Sequence, residues 1–284
     1  MHGPTRLILA AAAVIFSPLV MCHTPQPTAD PYAKLPPAQP AKHYVIHRAP
    51  GPVTIDGDIH KAVWRDAPWT DDFVDIEGDL KPRPPLRTRV RMMWDDQNLY
   101  FAAELEEPHV WATLTQRDSV IFHDNDFEVF LYPGFDPAHP QAAVRNYYEF
   151  EINALNTVWD LCLPKPYREQ GQADNSWTIA GLKTAVRVHG TINDSRDTDK
   201  GWDVEIAMPF AAFDRHTRPG GRGVVPRPGE VWKLNFSRVE WDTTVQDGKY
   251  VKVPNRPEHN WVWSPMGLID MHVPSRWGLL EFKD

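Results

Sequence analysis

Cysteine is scarce in this sequence, with only Cys22 and Cys162 among 284 residues. If Cys22 is modified, Cys162 has no partner in the chain, which excludes an internal disulfide. Cys162 lies in the apolar stretch 159–163, where a buried, unreactive thiol is expected. The fold must therefore depend on its core, and hydrophobic residues at 42% of the chain supply an ample one.

Positive charge is also in short supply. Lys and Arg number 30 against 38 Asp and Glu, which gives a formal net charge of −8. No clustered run of Lys and Arg is present, so the composition argues against nucleic acid as a partner. A Gly-rich phosphate loop, an HExxH zinc motif, a Ser-His-Asp pattern and a CxxCH haem site are absent as well. No common catalytic or cofactor class is indicated by motif.

An apolar run does stand at the N-terminus. Residues 7–21 carry no charge, and the run is too short for a membrane-spanning helix, so residues 1–22 are expected to be an export signal. Cys22 directly after it resembles a bacterial lipoprotein signal, which implies a lipidated Cys22 that anchors the protein to a membrane. Because Met21 is larger than the residue such signals favour, ordinary secretion and a retained anchor stay open. We expect an exported protein of the bacterial cell envelope, lipid-anchored, periplasmic or secreted.

Proline is concentrated after this segment. Residues 23–42 contain six prolines and little to bury, so we expect an extended linker of polyproline character. One domain is expected over residues 43–284.

Short alternating segments separated by turn residues dominate this domain, as in an antiparallel β-sandwich. In the segment 87–92, Thr88, Val90 and Met92 share one face and the arginines share the other. A turn at 95–98 should join it to a strand over 99–105 in a hairpin with a ladder of Arg and Glu pairs. Further strands are predicted over 127–132, 147–153, 158–162, 182–189, 202–208, 230–241 and 277–282.

Helix is expected at only one or two places. A strand ending at Ile55 should turn at Asp56-Gly57, where glycine takes a positive φ at low cost. A short helix over 58–65 with Asp58 as its N-cap should follow. A turn or two of helix is expected over 209–213, where proline suits the first helical position.

A series of short motifs between Val45 and Lys283 occurs in a fixed order, and this order carries a family resemblance. They are Ile55-Asp56-Gly57-Asp58 with Trp64, Val90–Tyr100, Asp126–Leu131, Gly201–Pro209, Trp232–Arg238 and Pro274–Phe282. Together they resemble the family 9 carbohydrate-binding modules and their DOMON-like relatives. The resemblance implies an all-β, jelly-roll or DOMON-like sandwich of two antiparallel sheets. It also implies a ligand cleft on one face, often with calcium, and a non-catalytic carbohydrate-binding role.

The resemblance also suggests residues for a glycan site. Glu128 matches a sugar-contacting glutamate of the family, and Phe122, Trp261 and Trp263 are the aromatic residues nearest to its two sugar-stacking tryptophans. In the strand 147–153, residues such as Glu151 and Asn153 alternate with core positions, so they should share a polar face with Glu128, Arg89 and Arg91. A solvated ladder of Arg and Glu pairs is the alternative for these residues.

Three other chemistries stay open. Glu149 and Glu151 have a separation compatible with glycoside hydrolysis by paired carboxylates. Asp124 and Asp126 are rich enough in oxygen to help bind calcium, and a solvated turn is the alternative there. Some DOMON-like relatives bind haem, and candidate ligands are available in Met208, Met266 and Met271.

Overall fold

The computed structural model describes residues 30–213 and 225–284. The predicted export signal, Cys22 and the first part of the predicted linker lie outside the described residues. Within them the chain forms fourteen strands. These are β1 His43–Arg48, β2 Val74–Asp75, β3 Thr88–Trp94, β4 Asn98–Glu106, β5 Asp126–Tyr132, β6 Tyr147–Asn153, β7 Val158–Leu163, β8 Lys183–Val188, β9 Gly201–Pro209, β10 Val231–Glu240, β11 Thr243–Gln246, β12 Lys249–Lys252, β13 His259–Val262 and β14 Gly278–Phe282.

The strands build a sandwich whose two sheets share β1. One sheet, here called the β5 sheet, has the order β7-β6-β5-β10-β14-β1, with β13 also beside β10 and β2 beside β13. The other, the β4 sheet, has the order β1-β3-β4-β9-β8. β1 runs parallel to both β14 and β3, whereas neighbours such as β5 and β10 are antiparallel. The all-β sandwich prediction is therefore confirmed.

Alternation along the strands places the core between the sheets. In β5, Phe127, Val129 and Leu131 join the main core, and the residues between them face outward. Aromatic rings fill much of this space, since Phe236 stacks against Phe127 at 5.7 Å between ring centroids. Large flat side chains pack a sandwich core efficiently, which accounts for many of the twelve tryptophans.

The predicted hairpin is confirmed with its polar ladder. β3 pairs with β4 from Thr88 opposite Leu105 to Trp94 opposite Leu99. On its outer face Arg89 donates to the Glu104 carboxylate at 2.7 Å. β6 occupies the bounds that alternation predicted, and the other predicted strands differ from the observed ones by one or two residues. The strands β1, β2, β11, β12 and β13 were not predicted. Strands β2, β11, β12 and β13 have only two to four residues, which is too few for a clear period.

Helix is confined to six short 3-10 segments in the described residues, and none is long and apolar enough to cross a bilayer. They are Ala62–Trp64, Gly78–Leu80, Ile121–His123, Tyr167–Glu169, Phe210–Phe213 and Pro274–Arg276. The turn predicted near 209–213 is thus present.

The prediction for 53–65 is right in its turn and wrong in its strand and helix. Gly57 does take a positive φ, of 81°. However, residues 53–55 form no strand, and the helix shrinks to the segment Ala62–Trp64. The Asp58 carboxylate accepts a hydrogen bond from the His60 amide in a local turn, so it does not cap a longer helix.

Residues 30–42, the described part of the predicted linker, lie against the domain. Gln39 donates to the Glu77 carbonyl at 2.7 Å, and Arg276 donates to the Pro36 carbonyl. Leu35 packs against a second apolar cluster on the outer face of the β5 sheet. This part of the segment therefore contributes contacts to the fold.

Candidate functional site

The outer face of the β5 sheet carries a row of side chains that crosses four strands. Trp159 of β7 lies opposite Glu151 of β6, Glu151 lies opposite Glu128 of β5, and Glu128 lies opposite Ser237 of β10. Directly opposite residues of antiparallel strands project on the same face, with side chains close enough to interact. We call these four residues the transverse row.

An acidic cluster surrounds the centre of this row. One carboxylate oxygen from each of Asp126, Glu128 and Glu151 lies within 4.8 Å of the others. These three residues are only 0%, 5% and 1% exposed, and Glu149 on the same face of β6 is 6% exposed. Such a concentration of acids out of contact with water is costly unless they are neutralised.

Burial shifts the ionisation of all four acids in one direction. It raises the pKa of Glu128 to about 7, while the neighbouring Ser237 hydroxyl acts to lower it. Burial, followed by the charge of Glu128, raises the pKa of Asp126, Glu149 and Glu151 well above the usual range. Loss of hydration and like charge both disfavour a carboxylate. The cluster therefore favours whatever supplies positive charge, whether protons or a cation.

An aromatic rim lies beside this cluster, formed by the half-buried side chains of Phe122, Trp159 and Trp241. The Phe122 amide donates to Glu151 Oε2 at 2.9 Å, and Trp241 Nε1 donates to the Phe122 carbonyl at 2.9 Å. The Lys252 ammonium stands 3.4 Å from the centre of the Trp241 ring. The rim thus combines flat apolar surface with nearby charged groups, an arrangement suited to an amphipathic ligand.

A model of the carbohydrate family 9 binding domain-like family matches residues 55–261 of this chain. The chain belongs to this family. The resemblance inferred from its motifs is thereby confirmed.

Solved structures support the family's fold for this member. A candidate carbohydrate-binding protein from Bacteroides uniformis matches with a TM-score of 0.61 and 16% identity, over 86% of this chain and all of that one. A family 9 carbohydrate binding module from Caldicellulosiruptor kristjanssonii, in complex with cellotriose, matches with a TM-score of 0.51 and 16% identity. That match covers 84% of this chain and 94% of the module. The same module in complex with glucose gives a TM-score of 0.51 and 16% identity, over 84% and 96%. No curated protein matches the sequence.

Some of the residues predicted for a glycan site in this family member do come together. Glu128, Glu151 and Asn153 share the outer face of the β5 sheet, and Phe122 contacts Glu151 through its backbone. Asn153, however, is fully buried and donates to the Leu114 carbonyl at 2.8 Å and to Asp124 at 3.0 Å. Its side-chain oxygen accepts from two further amides, so Asn153 holds a loop rather than facing a ligand.

Asp124, predicted together with Asp126 as a calcium ligand, is also occupied by protein donors. One of its oxygens accepts the amides of Thr113 and Leu114, each at 2.8 Å, and the other accepts the Thr113 hydroxyl at 2.8 Å. Four donors, including Asn153, therefore satisfy this carboxylate. Only Asp126 of the predicted pair lies in the acidic cluster.

The prediction that Arg91 and Arg89 lie beside Glu128 is wrong. Their strand, β3, belongs to the β4 sheet, and Arg91 donates to the carbonyls of Ile59 and Trp64. Strand order is set by long-range pairing, which alternation within a strand does not reveal.

Trp261 and Trp263 also differ from expectation. They are 4% and 2% exposed and belong to the main core between the sheets. The rim is formed instead by Trp159 and Trp241, which the sequence analysis did not select. A signal was available for Trp159, because alternation along β7 places it on the face opposite the core residues Val158 and Cys162.

A separate cavity of about 560 Å³ opens at the far end of the same sheet, between residues 132–144 and the segment 30–38. Lys233 reaches it, and burial lowers the pKa of this ammonium group to about 8. The ammonium already donates to the carbonyls of Ser275 and Trp277, at 3.2 and 2.8 Å. We therefore regard the acidic cluster and its rim as the stronger candidate site.

Proposed function

We propose that this protein is an exported, non-catalytic carbohydrate-binding protein that holds a glycan on the aromatic rim of Phe122, Trp159 and Trp241. The observation that carries the proposal is this rim of half-buried rings beside polar groups, on one face of a sandwich that belongs to a carbohydrate-binding family. The related module in complex with cellotriose and glucose supports a glucose-based glycan as the first ligand class to test.

The chemistry of the rim suits a sugar ring. The C–H face of a pyranose packs on an aromatic plane, while its hydroxyl groups need polar or charged partners. Lys252 lies over Trp241, and Glu258 is close enough to raise the pKa of Glu128. A glycan on the rim would compete with Lys252 for the Trp241 face and could use its ammonium as a hydrogen-bond donor.

Binding accounts for this site better than hydrolysis does. A glycosidase needs two carboxyl groups in contact with the scissile bond. Glu149 and Glu151 share a face, yet only 6% and 1% of their surfaces are exposed, so a sugar on the rim would not touch both. Haem ligation is not favoured either, because Met208 lies in the main core while Met266 and Met271 lie in the outer cluster.

The test is a glycan array on the purified protein, followed by calorimetry with the best ligand. Trp159→Ala and Phe122→Ala should each weaken binding about fivefold or more, because removal of an interface anchor costs more than about 1 kcal/mol. Trp69→Ala is the matched control, since Trp69 is also half-buried but contacts Arg89 and Arg91 on the β4 sheet. Failure of every glycan to bind would overturn the function. Wild-type affinity in both rim variants would place the glycan elsewhere.

A further inference from the structure

Several buried acids of this domain have a positive partner, whereas the acidic cluster has none among the described residues. Glu205 has Lys61 at 2.7 Å, Asp160 has Arg117 at 2.6 Å and Glu107 has Arg238 at 2.8 Å. Among the ion pairs of the described residues, none involves Asp126, Glu128, Glu149 or Glu151. Removing a charge from water without pairing it is strongly unfavourable, so this cluster requires a different source of compensation.

The hydrogen bonds in the cluster are also incomplete. Asp126 accepts the Val239 amide through Oδ1, at 3.2 Å, and Glu151 accepts the Phe122 amide. Asp126 Oδ2, although fully buried, has no hydrogen-bond partner. An orphaned buried acceptor calls for an explanation, and a bound water or ion is one that fits an acidic surrounding.

Ser237 also indicates a bound ion, and it does so independently of the acids because its hydroxyl carries no charge. It is fully buried and lies directly opposite Glu128 on the same face. Its hydroxyl lies beside the Glu128 carboxylate, yet no well-aligned hydrogen bond satisfies it. A buried hydroxyl next to the Glu128 carboxylate offers oxygen lone pairs on the face that carries the cluster. It would serve there as a neutral ligand.

We propose that Asp126, Glu128, Glu151 and the Ser237 hydroxyl bind one divalent cation, with Ca²⁺ as the expected ion. Ca²⁺ takes oxygen ligands at about 2.3–2.6 Å, so oxygens of one coordination shell are at most about 4.6–5.2 Å apart. The separation of the three carboxylate oxygens, within 4.8 Å, fits that limit. Carboxylate and hydroxyl oxygens are hard ligands, which select Ca²⁺, Mg²⁺ or Mn²⁺ over thiophilic metals.

The calcium implied by the family resemblance thus fits residues of this chain, with a ligand set that differs in part from the sequence prediction. Asp126 stays in the set, whereas Glu128, Glu151 and Ser237 replace Asp124. The ion would offset much of the negative charge of the cluster and link β5 to both β6 and β10. This role is independent of glycan binding on the rim.

The test begins with metal analysis of the purified protein and continues with calorimetry of CaCl₂ into protein stripped with EDTA. We expect about one ion per chain and a higher melting temperature in CaCl₂ than in EDTA. MgCl₂ and MnCl₂ in parallel identify the preferred ion. An absence of bound metal, of binding heat and of any melting shift with all three ions would overturn the proposal.

Variants locate the site. Glu151→Gln should weaken Ca²⁺ binding at least tenfold, and Ser237→Ala should weaken it by a smaller factor while keeping the fold. Glu104→Gln, which removes a carboxylate from the surface ladder, should bind as the wild type does. Full affinity in both Glu151→Gln and Ser237→Ala would overturn the assignment. Melting of each variant in EDTA separates loss of the ion from loss of the fold, and cation binding by a protein that binds no glycan would refute only the proposed function.

Discussion

At the scale of single residues, Glu205 connects the Asp56-Gly57 turn to the β4 sheet. Its carboxylate is fully buried and accepts the amides of Asp56 and Gly57, at 2.9 and 3.1 Å. It also accepts Trp64 Nε1 at 2.7 Å and pairs with Lys61 at 2.7 Å. One acid on β9 thereby holds residues 56–64 against the β4 sheet.

Replacement of this carboxylate should cost much of the domain's stability. Glu205→Ala leaves two amides and an indole N–H without their acceptor and removes one partner of the Lys61 ammonium, and breaking a buried pair costs about 3–5 kcal/mol. Urea denaturation followed by fluorescence measures the change. Glu104→Ala, at a partly exposed ladder position, is the control and should cost about 0.2–1 kcal/mol. Equal, small effects of both variants would show that the turn does not depend on Glu205.

Where alternation is strong, the sequence predicted which face of the sheet a side chain lies on. It did not predict which residues of other strands lie next to that side chain. The sequence of β6 indicated that Glu151 projects away from Phe150 and Ile152, as it does. It did not show that Ser237 lies opposite Glu128, since that pairing joins strands more than 100 positions apart. The unpaired state of the acids could not be predicted for the same reason, because it depends on which cations the fold brings near.

At the scale of elements, the segment 30–42 behaves as an outer layer of the β5 sheet. Tyr32 donates its hydroxyl to Glu169 at 2.9 Å, and the Gln39 side chain donates to the Glu77 carbonyl. Composition predicted an extended linker over residues 23–42 because its six prolines exclude regular helix and sheet pairing. It did not predict docking, which depends on single anchors such as Leu35 finding an apolar surface.

A chain that begins at residue 41 should therefore be less stable than one that begins at residue 30. The shortened chain loses the hydrogen bonds of Tyr32, Pro36 and Gln39 and the packing of Leu35. At about 0.5–1.5 kcal/mol for each hydrogen bond, with a contribution from apolar burial, the expected loss is about 2–4 kcal/mol. Thermal and urea unfolding of the two chains give the answer. Identical unfolding curves would mean that residues 30–40 act only as a tether.

At the scale of the whole molecule, the predicted export signal and lipidated Cys22 would place the domain outside the cytoplasm and attach it to a membrane. Cys22 lies outside the described residues, and its lipidation stays a prediction. Cells fed a labelled fatty acid should yield labelled wild-type protein and unlabelled Cys22→Ala, because the cysteine thiol is the proposed acceptor. Protease added to intact spheroplasts should reach the domain in both. An unlabelled, fully soluble wild-type protein would remove the anchor, and recovery of unprocessed chain in the cytoplasm would contradict export.

The position of β1 bears on such an attachment. It is the first strand after the predicted linker, and it pairs with β14 through His43 to Ile46 and with β3 through His47 and Arg48. A pulling force that entered the domain from its N-terminal side and acted along β1 would reach this strand once the contacts of residues 30–42 had given way. The backbone hydrogen bonds to both neighbours would then be loaded together in shear, so they could not unzip one after another. The strand that bears this force is β1, which both sheets share. A force on the domain from a bound ligand would therefore be resisted by the hydrogen bonds of both sheets together.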